Sequence, residues 1–391
     1  MSKRIFHIDH FLVSALSLII LWLLSFITFN LSILDPVADA LDQFSITDVF
    51  FEIEHNEEKN VETSDLITIV DMTDLHKRGD IAAMMQEIGL NNPLCVGVDL
   101  IFEGEKDDSI GNQELREAIG NLGNIAIYSK KLTDYSGDSD SFSKASRSFF
   151  TKDMKVNEAF TNLVNDLDGT RIREFSFSQQ EKGKAVLSFP AAIAARFDST
   201  LVSKHQDNYL VNYRNIKFPV VKYNEIQDKA DLIDGHIVLI GTMTEEQDMH
   251  MSPLGKMPGI EIQAYSLLTL LEHENLQEIP MWLSLIIAFV LCYLLELVLD
   301  AMHRWAENNT KLPIVFLRES GLLTTYLILL WTIVVLWVLF YSFTEWNIIL
   351  DGGILLASTL LVCQARDWIE ATVKTFSTKF DCKYFRDSIF N

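Results

Sequence analysis

Cysteine is scarce in this sequence: the 391 residues contain four, Cys95, Cys292, Cys363 and Cys382. Only Cys95 lies between residues 32 and 280, so that segment cannot form an internal disulfide. The class of small exported domains held together by disulfides is therefore excluded. Because Cys95 directly precedes an apolar run, we predict that it is a core residue.

The sequence also lacks the short motifs of common enzyme classes. It contains no nucleophile elbow, no glycine-rich phosphate loop, no HExxH and no cysteine–histidine metal spacing. His250 lies near Asp248 and Ser252, but three neighbours on one loop do not establish a catalytic triad. We therefore expect a protein that is not an enzyme.

Positive charge is in short supply, because 32 Lys and Arg face 54 Asp and Glu, a formal net charge of -22. Between residues 32 and 280 the counts are 22 and 43. This balance excludes nucleic acid as a partner, since phosphate contacts need clustered Lys and Arg. It is typical of a solvated acidic surface, which can also attract cations.

Four long apolar runs contain no Lys or Arg. We predict transmembrane helices at residues 11–31, 281–299, 321–343 and 346–365, because each run can cross a hydrocarbon core of about 30 Å. The first run is longer than the apolar part of a signal peptide, and no small-x-small cleavage site follows it. We interpret it as an uncleaved anchor.

The Lys and Arg that flank these runs predict the orientation. They occur in residues 1–10, 300–320 and 366–391 and are absent from the connector Ser342–Asn347. Positive residues in short segments stay on the cytoplasmic side. We therefore expect a multi-pass protein of the inner (cytoplasmic) membrane with both termini cytoplasmic. Residues 32–280 would then lie in the periplasm or outside, and the cytoplasmic, amphipathic tail 366–391 would meet lipid headgroups or a partner.

Strand and helix patterns alternate at the start of the exported segment. Apolar runs at Ile67–Met72, Cys95–Phe102 and Asn124–Lys130 are separated by helical patterns at Asp80–Leu90 and Asn112–Leu122. This order is typical of right-handed crossovers in a parallel sheet covered on both faces. The predicted fold class is α/β, an extracytoplasmic domain with a mainly parallel sheet flanked by helices, plus four transmembrane helices, one N-terminal and three C-terminal.

The later part of the exported segment continues this pattern after an interruption. Residues 132–156 show no steady period and are interpreted as a surface loop or a lid-like insertion. Arg171–Phe177 and Tyr209–Arg214 alternate as strands do, and His236–Gly241 is predicted to be the last parallel strand. Ile260–Glu272 is predicted to be an amphipathic helix, which ends a few residues before the second apolar run.

Five sequence blocks occur in one order: IVDMTD, VGVDLIF, DLDGTRIRE, YLVNYR and IVLIGTMTEEQDMHMSPLGKMPGIEIQA. Together they resemble bacterial proteins with the type-2 CHASE domain (CHASE2), the cyclase and histidine-kinase associated sensory extracellular domain, over about residues 48–272. The anchor in front and three spans behind are also similar to that family. The resemblance implies an extracytoplasmic sensor, commonly a homodimer, that signals to a cytoplasmic kinase or cyclase.

The sequence departs from the family in two places. After the fourth apolar run about 26 residues follow, too few for a kinase or cyclase, so we expect a separate cytoplasmic or membrane effector protein. The segment MTDLHKRGD after Asp71 is also shorter than the family's linker, which contains Trp-Pro. This difference affects the expected shape of any crevice near Asp71.

Three carboxylates are candidates for a ligand site. Asp71 and Asp99 end successive predicted strands, and Asp248 follows the strand that ends at Gly241. Ligands of open parallel sheets bind outside the carboxyl ends of the strands. If these strands adjoin, the carboxylates would suit a divalent cation such as Mg²⁺ or Ca²⁺, and no other cofactor is expected. The alternative is that Asp71 and Asp99 cap helices or turns.

Arg171 and Arg173 are the second candidate site. Guanidinium groups are shaped for carboxylate and phosphate, so these two arginines could hold an anionic ligand. The alternative is that they pair with nearby acids of the chain. Within the apolar runs, Glu296 and Asp351 are ionisable and so are candidates by position, although both lie near the ends of their runs.

Three functions are compatible with these features. The first is a membrane-anchored sensor that passes ligand binding through its transmembrane helices to a separate partner. The second is a structural subunit that scaffolds an envelope complex. The third is a metal-dependent hydrolase that uses Asp71 and Asp99.

Overall fold

The chain divides into two compact units. In the computed structural model, residues 7–30, 46–56, 61–164, 171–204, 208–273, 276–309, 311–377, 384 and 388–390 are described. One unit, the α/β unit, is Thr47–Leu276, and the other, the helical unit, combines Met1–Ile46 with Gln277–Asn391.

The elements are numbered in chain order. The helices are α1 Ile8–Asn30, α2 Ile46–Asn56, α3 Arg78–Leu90, α4 Ser109–Leu122, α5 Phe189–Ala194, α6 Leu201–Lys204, α7 Gly259–Leu271, α8 Met281–Glu307, α9 Leu312–Glu319, α10 Leu322–Trp346, α11 Gly352–Leu360 and α12 Val362–Phe376. The strands are β1 Glu62–Thr63, β2 Ile67–Asp71, β3 Cys95–Val98, β4 Ala126–Ser136, β5 Ser141–Ser146, β6 Glu158–Phe160, β7 Glu174–Ser176, β8 Ser178–Glu181, β9 Lys184–Leu187, β10 Asn208–Leu210, β11 Ile216–Lys217, β12 Val220–Lys222, β13 Ile237–Gly241, β14 Met249–Ser252, β15 Gly255–Pro258, β16 Gln277–Glu278 and β17 Ile348–Ile349.

A mixed sheet forms the centre of the α/β unit. Its strand order is β12-β2-β13-β3-β4-β5-β8-β9, with β6 also beside β4. The strands from β12 to β4, together with β6, pair in parallel. The pairs β4–β5 and β8–β9 are antiparallel. The α/β class is confirmed, and the sequence did not predict the antiparallel extension.

The central strands are apolar without alternation because helices cover both faces of the sheet. Val96 and Val98 of β3 belong to the cluster that contains the buried side of α3 and α4. Gly97 points the other way, where an added Cβ would lie 2.7 Å from Phe189 and 2.9 Å from Ile193 of α5. As predicted, Cys95 is fully buried.

The interpretation of residues 132–156 as a loop without strands is wrong. Strand β4 continues to Ser136 and turns into the antiparallel strand β5. The rings of Tyr135 and Phe142 lie 5.1 Å apart across the hairpin, and the Tyr135 hydroxyl donates to Asp140 Oδ1 at 2.7 Å. These cross-strand contacts stabilise a polar ribbon that has little apolar pattern of its own.

The helical unit corrects the number of predicted spans. Within the described ranges, three helices are long and apolar enough to cross a membrane, rather than four: the Ile8–Ser25 part of α1, α8 and α10. The predicted fourth span, residues 346–365, covers the end of α10, β17, α11 and the start of α12. Asn347 ends α10 in a left-handed conformation with φ 54°, and Leu361 separates α11 from α12. Helix α11 has 9 residues, which span only about 14 Å.

The two acids in the apolar runs have different surroundings. Glu296 on α8 is fully buried, and its Oε1 lies 2.5 Å from Arg366 Nη1 and 3.5 Å from His10 Nδ1. Asp351 is exposed and caps α11, since its Oδ1 accepts a hydrogen bond from the Ile354 amide at 2.9 Å. Glu296 therefore connects α1, α8 and α12, whereas Asp351 caps the N-terminus of α11.

Candidate functional site

A cavity of about 600 Å³ opens at the carboxyl ends of the parallel strands. Three of its lining residues directly follow strands: Asp99 follows β3, Thr242 follows β13 and Thr161 follows β6. Ser129 of β4 adds a buried hydroxyl. The remaining lining includes Asp248, His250, Gly259 and Gln263, which lie on the loop after β13, the β14–β15 hairpin and α7. The site thus occupies the edge at which parallel sheets bind ligands.

Asp99 is the most perturbed acid of this cavity. Its burial, and then the nearby Asp248 carboxylate, raise the pKa of Asp99 to about 7. The side chain keeps partial exposure through the cavity. Asp99 therefore changes charge close to neutral pH, which is a property typical of functional carboxylates.

Asp248 lies against the first residue of α7. Its Oδ1 is 2.9 Å from the position that a Cβ on Gly259 would occupy, so only glycine leaves room for this carboxylate. Its Oδ2 accepts a hydrogen bond from the Thr242 hydroxyl at 3.1 Å. A negative charge at a helix N-terminus is stabilised by the helix dipole. Asp248 therefore links the cavity to both β13 and α7.

Asp71 is not among the lining residues of this cavity. Its Oδ1 accepts hydrogen bonds from the Thr73 amide at 3.0 Å and from the Thr73 hydroxyl at 2.6 Å. Thr73 Oγ1 in turn accepts from the Met243 amide at 2.9 Å. Asp71 thus holds a turn and ties the end of β2 to the loop after β13, as the capping alternative expected.

The expected meeting of three carboxylates fails because β13 lies between β2 and β3. Two strand spacings put the ends of β2 and β3 about 10 Å apart, so Asp71 and Asp99 do not share a site. In the part of the chain that the structure describes, no group of three or more His, Cys, Asp and Glu is placed to hold a metal ion. Only Asp99 and Asp248 come together.

Arg171 and Arg173 both bind a carboxylate of the chain itself. Arg173 contacts Asp48 through Nε at 3.0 Å and through Nη2 at 2.7 Å, and Arg171 Nη1 lies 3.2 Å from Asp48 Oδ2. Asp48 belongs to α2, and its side chain is 5% exposed. The two guanidinium groups thus fix α2 to the segment before β7; they pair with an acid of the chain, as the alternative expected, but with a distant one and not with a neighbour in sequence.

The hairpin residues do not form a catalytic triad. His250 Nε2 lies 3.7 Å from Asp248 Oδ1, but the Ser252 hydroxyl donates to the Gly255 carbonyl at 2.9 Å and Ser252 is fully buried. Its hydroxyl therefore closes the β14–β15 turn. His250 itself lines the cavity.

Ser129, Thr161 and Gln263 were missed by the sequence reasoning. Gln263 carried a usable signal, because a polar amide in the apolar run of α7 is unusual, and it is only 4% exposed. Its Nε2 donates to the Thr161 carbonyl at 3.3 Å. Ser129 and Thr161 gave no signal, because their importance depends on the neighbours of β4 and β6 in the sheet.

Comparison with known proteins gives one match. The family model of the CHASE2 domain matches residues 14–298, which is more than half of the chain. No curated protein and no solved structure matches the chain significantly.

Proposed function

This chain belongs to the CHASE2 domain family, a family of sensory extracellular domains, and we propose on that basis that it is a membrane-anchored extracytoplasmic sensor. In this proposal the α/β unit binds a ligand or an envelope partner. The bound state is then passed through the apolar helices to a separate cytoplasmic or membrane effector. The protein would be a multi-pass, homodimeric protein of the cytoplasmic membrane with both termini cytoplasmic.

The observation that carries the proposal is the cavity beside Asp99. It lies at the carboxyl ends of β3, β13 and β6, and its volume of about 600 Å³ suits a small ligand. Its acidic wall contains a carboxylate with a raised pKa. A structural scaffold would need neither a cavity nor a perturbed acid at that edge.

The position of Asp248 gives a structural reason to expect that ligand binding in the cavity affects the apolar helices. Its carboxylate lies over Gly259 at the start of α7, and α7 is followed along the chain by α8 from Met281. A ligand that binds Asp248 would compete with its contact to the start of α7. Transmission then requires that the ligand binds the two states of the protein with different affinity.

Helix α12 supports a protein partner as the recipient of the signal. Trp368 is 58% exposed and Phe376 is 41% exposed, and Lys374 lies on the same helix in an ion pair with Glu370. Exposed aromatic and basic side chains on one helix are typical of docking helices and of helices at a membrane surface.

Disulfide crosslinking in native membranes tests the proposal. Phe11 of α1 and Phe289 of α8 have ring centroids 5.1 Å apart, so cysteines at both positions form a crosslink pair. If the protein is a sensor, Asp99→Asn changes the crosslinking rate, because the cavity and the apolar helices share one equilibrium. The matched change Asp138→Asn, in the exposed hairpin turn, leaves the rate unchanged.

The scaffold alternative predicts that Asp99→Asn and Asp138→Asn crosslink alike. Equal rates in both variants, with normal amounts of folded protein, would therefore favour the scaffold. A pull-down of the full chain from native membranes, with and without α12 substitutions at Trp368 and Phe376, identifies the effector. A sensor loses its effector when these two exposed side chains are replaced by serine.

A further inference from the structure

Several hydrogen-bond acceptors line the cavity. Asp99 and Asp248 contribute carboxylates. Gln263 donates its amide nitrogen to the Thr161 carbonyl at 3.3 Å, which leaves the amide oxygen as an acceptor. The amide of Asn162 is committed on both sides to the Leu132 backbone, at 2.7 and 2.9 Å. The inner wall therefore favours a ligand that brings its own N–H donors.

Ser129 is a second, independent indication of a ligand. It is 1% exposed and lines the cavity, and its hydroxyl lies beside the Asp99 carboxylate without a hydrogen bond of good geometry to a described residue. Leaving a buried hydroxyl without a good hydrogen bond is unfavourable. A polar group of a ligand beside Asp99 would satisfy it.

The charge at this wall is negative. Asp99 and Asp248 line the cavity together with His250, whose Nε2 lies 3.7 Å from Asp248 Oδ1. Glu245 and Lys131 also line it, and both are exposed. An anionic ligand would meet two carboxylates at the inner wall, so the charge excludes it there.

We propose that the cavity binds the primary ammonium group of a small organic ligand, held between Asp99 and Asp248 and hydrogen-bonded to Ser129 and Gln263. This ligand class depends on the proposed sensor function, because the cavity is the same. An ammonium group carries one positive charge and three N–H donors, which can reach Ser129, Gln263 and one of the two carboxylates.

The residues that line the cavity favour a primary ammonium ligand over a quaternary one. The lining in the described chain contains no Phe, Tyr or Trp, whereas proteins bind choline-like groups in aromatic cages. A bare divalent cation fits less well, because it needs about six oxygen ligands and no group of three metal-ligating acids or histidines occurs among the described residues.

Titration calorimetry on the full chain in detergent tests this assignment with ethanolamine, choline, ethylene glycol and Mg²⁺. Ethanolamine and choline differ only by three N-methyl groups, and ethylene glycol replaces the ammonium by a hydroxyl. We expect ethanolamine to bind at pH 8, and choline, ethylene glycol and Mg²⁺ to bind at least about tenfold more weakly. Since the pKa of Asp99 is about 7, ethanolamine should bind about tenfold more weakly at pH 6.

Two variants locate the site. Asp99→Asn should weaken ethanolamine binding by at least about tenfold, while Glu246→Gln, an exposed acid two residues before Asp248, should leave it unchanged. If Asp99→Asn does not fold, Ser129→Ala serves as the second variant, with a smaller loss expected.

Three results would overturn the assignment: equal binding of choline, tighter binding of Mg²⁺ or ethylene glycol, or an Asp99→Asn variant that binds ethanolamine as the wild type does. A failure of ethanolamine to bind wild-type protein would also overturn it. None of these results affects the crosslinking comparison, which uses no ligand, so the sensor proposal and the ligand class can fail separately.

Discussion

At the scale of single residues, Asp99 shows how the fold changes the acidity of a carboxyl group. The sequence places it directly after a fully buried strand, and burial together with the charge of Asp248 raises its pKa to about 7. Asp71 is the last residue of β2, and its Oδ1 accepts two hydrogen bonds from Thr73. Two aspartates at the ends of buried strands therefore have different surroundings, because Thr73 donates to Asp71 whereas Asp99 is buried beside Asp248.

The raised pKa of Asp99 predicts a specific dependence of stability on pH. The unfolded carboxyl loses its proton near its ordinary pKa of 3.8, whereas the folded one keeps it up to about 7. Between these values the folded state binds more protons, so this group's contribution to the free energy of unfolding falls as pH rises and levels off above pH 7. Three pKa units correspond to at most about 4 kcal/mol.

Asp99→Asn removes this titration and should stabilise the α/β unit above pH 7 by about 2–4 kcal/mol. Hydrogen exchange of the β3 and β13 amides, corrected for intrinsic rates, measures this free energy at pH 5 and pH 8. The exposed control Asp138→Asn should follow the wild type at both values. A wild type whose protection is the same at pH 5 and pH 8 after correction would contradict the account.

At the scale of elements, close approach between β13 and α7 fixes the shape of the site. Gly241 ends β13, and a Cβ there would lie 2.8 Å from the Ile260 Cβ of α7. Position 241 requires glycine because a larger side chain has no room, and not because of the backbone conformation, which does not have a positive φ. The same approach brings Gly259 of α7 under Asp248.

Gly241→Ala should therefore destabilise the α/β unit by about 1–3 kcal/mol, because α7 must shift to admit a methyl group. Gly120→Ala is the matched control: it lies in α4, where the nearest atom to the added Cβ is Met154 Cε at 4.0 Å. Alanine is the better helix former, so this change should stabilise by about 0.5–1 kcal/mol. Thermal unfolding followed by circular dichroism compares the two, and equal melting temperatures would contradict the predicted packing.

Long apolar runs made some elements predictable. The buried strands β2, β3 and β13 are rich in Val and Ile, and α3 and α7 were predicted within a few residues of their observed bounds. The β4–β5 hairpin was missed because its residues are polar and its contacts cross the turn. The fourth span was wrong because apolarity alone does not show where Asn347 and Leu361 interrupt the helices.

Part of the candidate site could be predicted from the sequence, and the rest depended on contacts between distant segments. Asp99 and Asp248 could be proposed from the rule that ligands bind at strand ends. The sequence could not show that β13 separates β2 from β3, and this order removes Asp71 from the site. The partners of Arg171 and Arg173 also depended on tertiary structure, since Asp48 precedes them by more than 120 residues.

At the scale of the whole molecule, the central claim is that occupancy of the cavity changes the arrangement of the apolar helices. A small group attached covalently inside the cavity tests this claim without knowledge of the natural ligand. Thr161→Cys places a thiol on the cavity wall, and an aminoethyl methanethiosulfonate reagent then leaves a primary ammonium inside the cavity. Cys363 and Cys382 are replaced by serine in this variant, and Cys95 and Cys292 are fully buried, so the accessible thiol is the introduced one.

The decisive measurement is the distance between nitroxides carried by non-natural amino acids at Val290 of α8 and Val334 of α10, which are both exposed. Pulsed electron resonance in lipid nanodiscs compares the free and the fully modified protein. The sensor account predicts a shifted or redistributed distance after modification, and no shift when the reagent is applied to protein that keeps Thr161. Identical distance distributions, with complete modification shown by mass spectrometry, would contradict it.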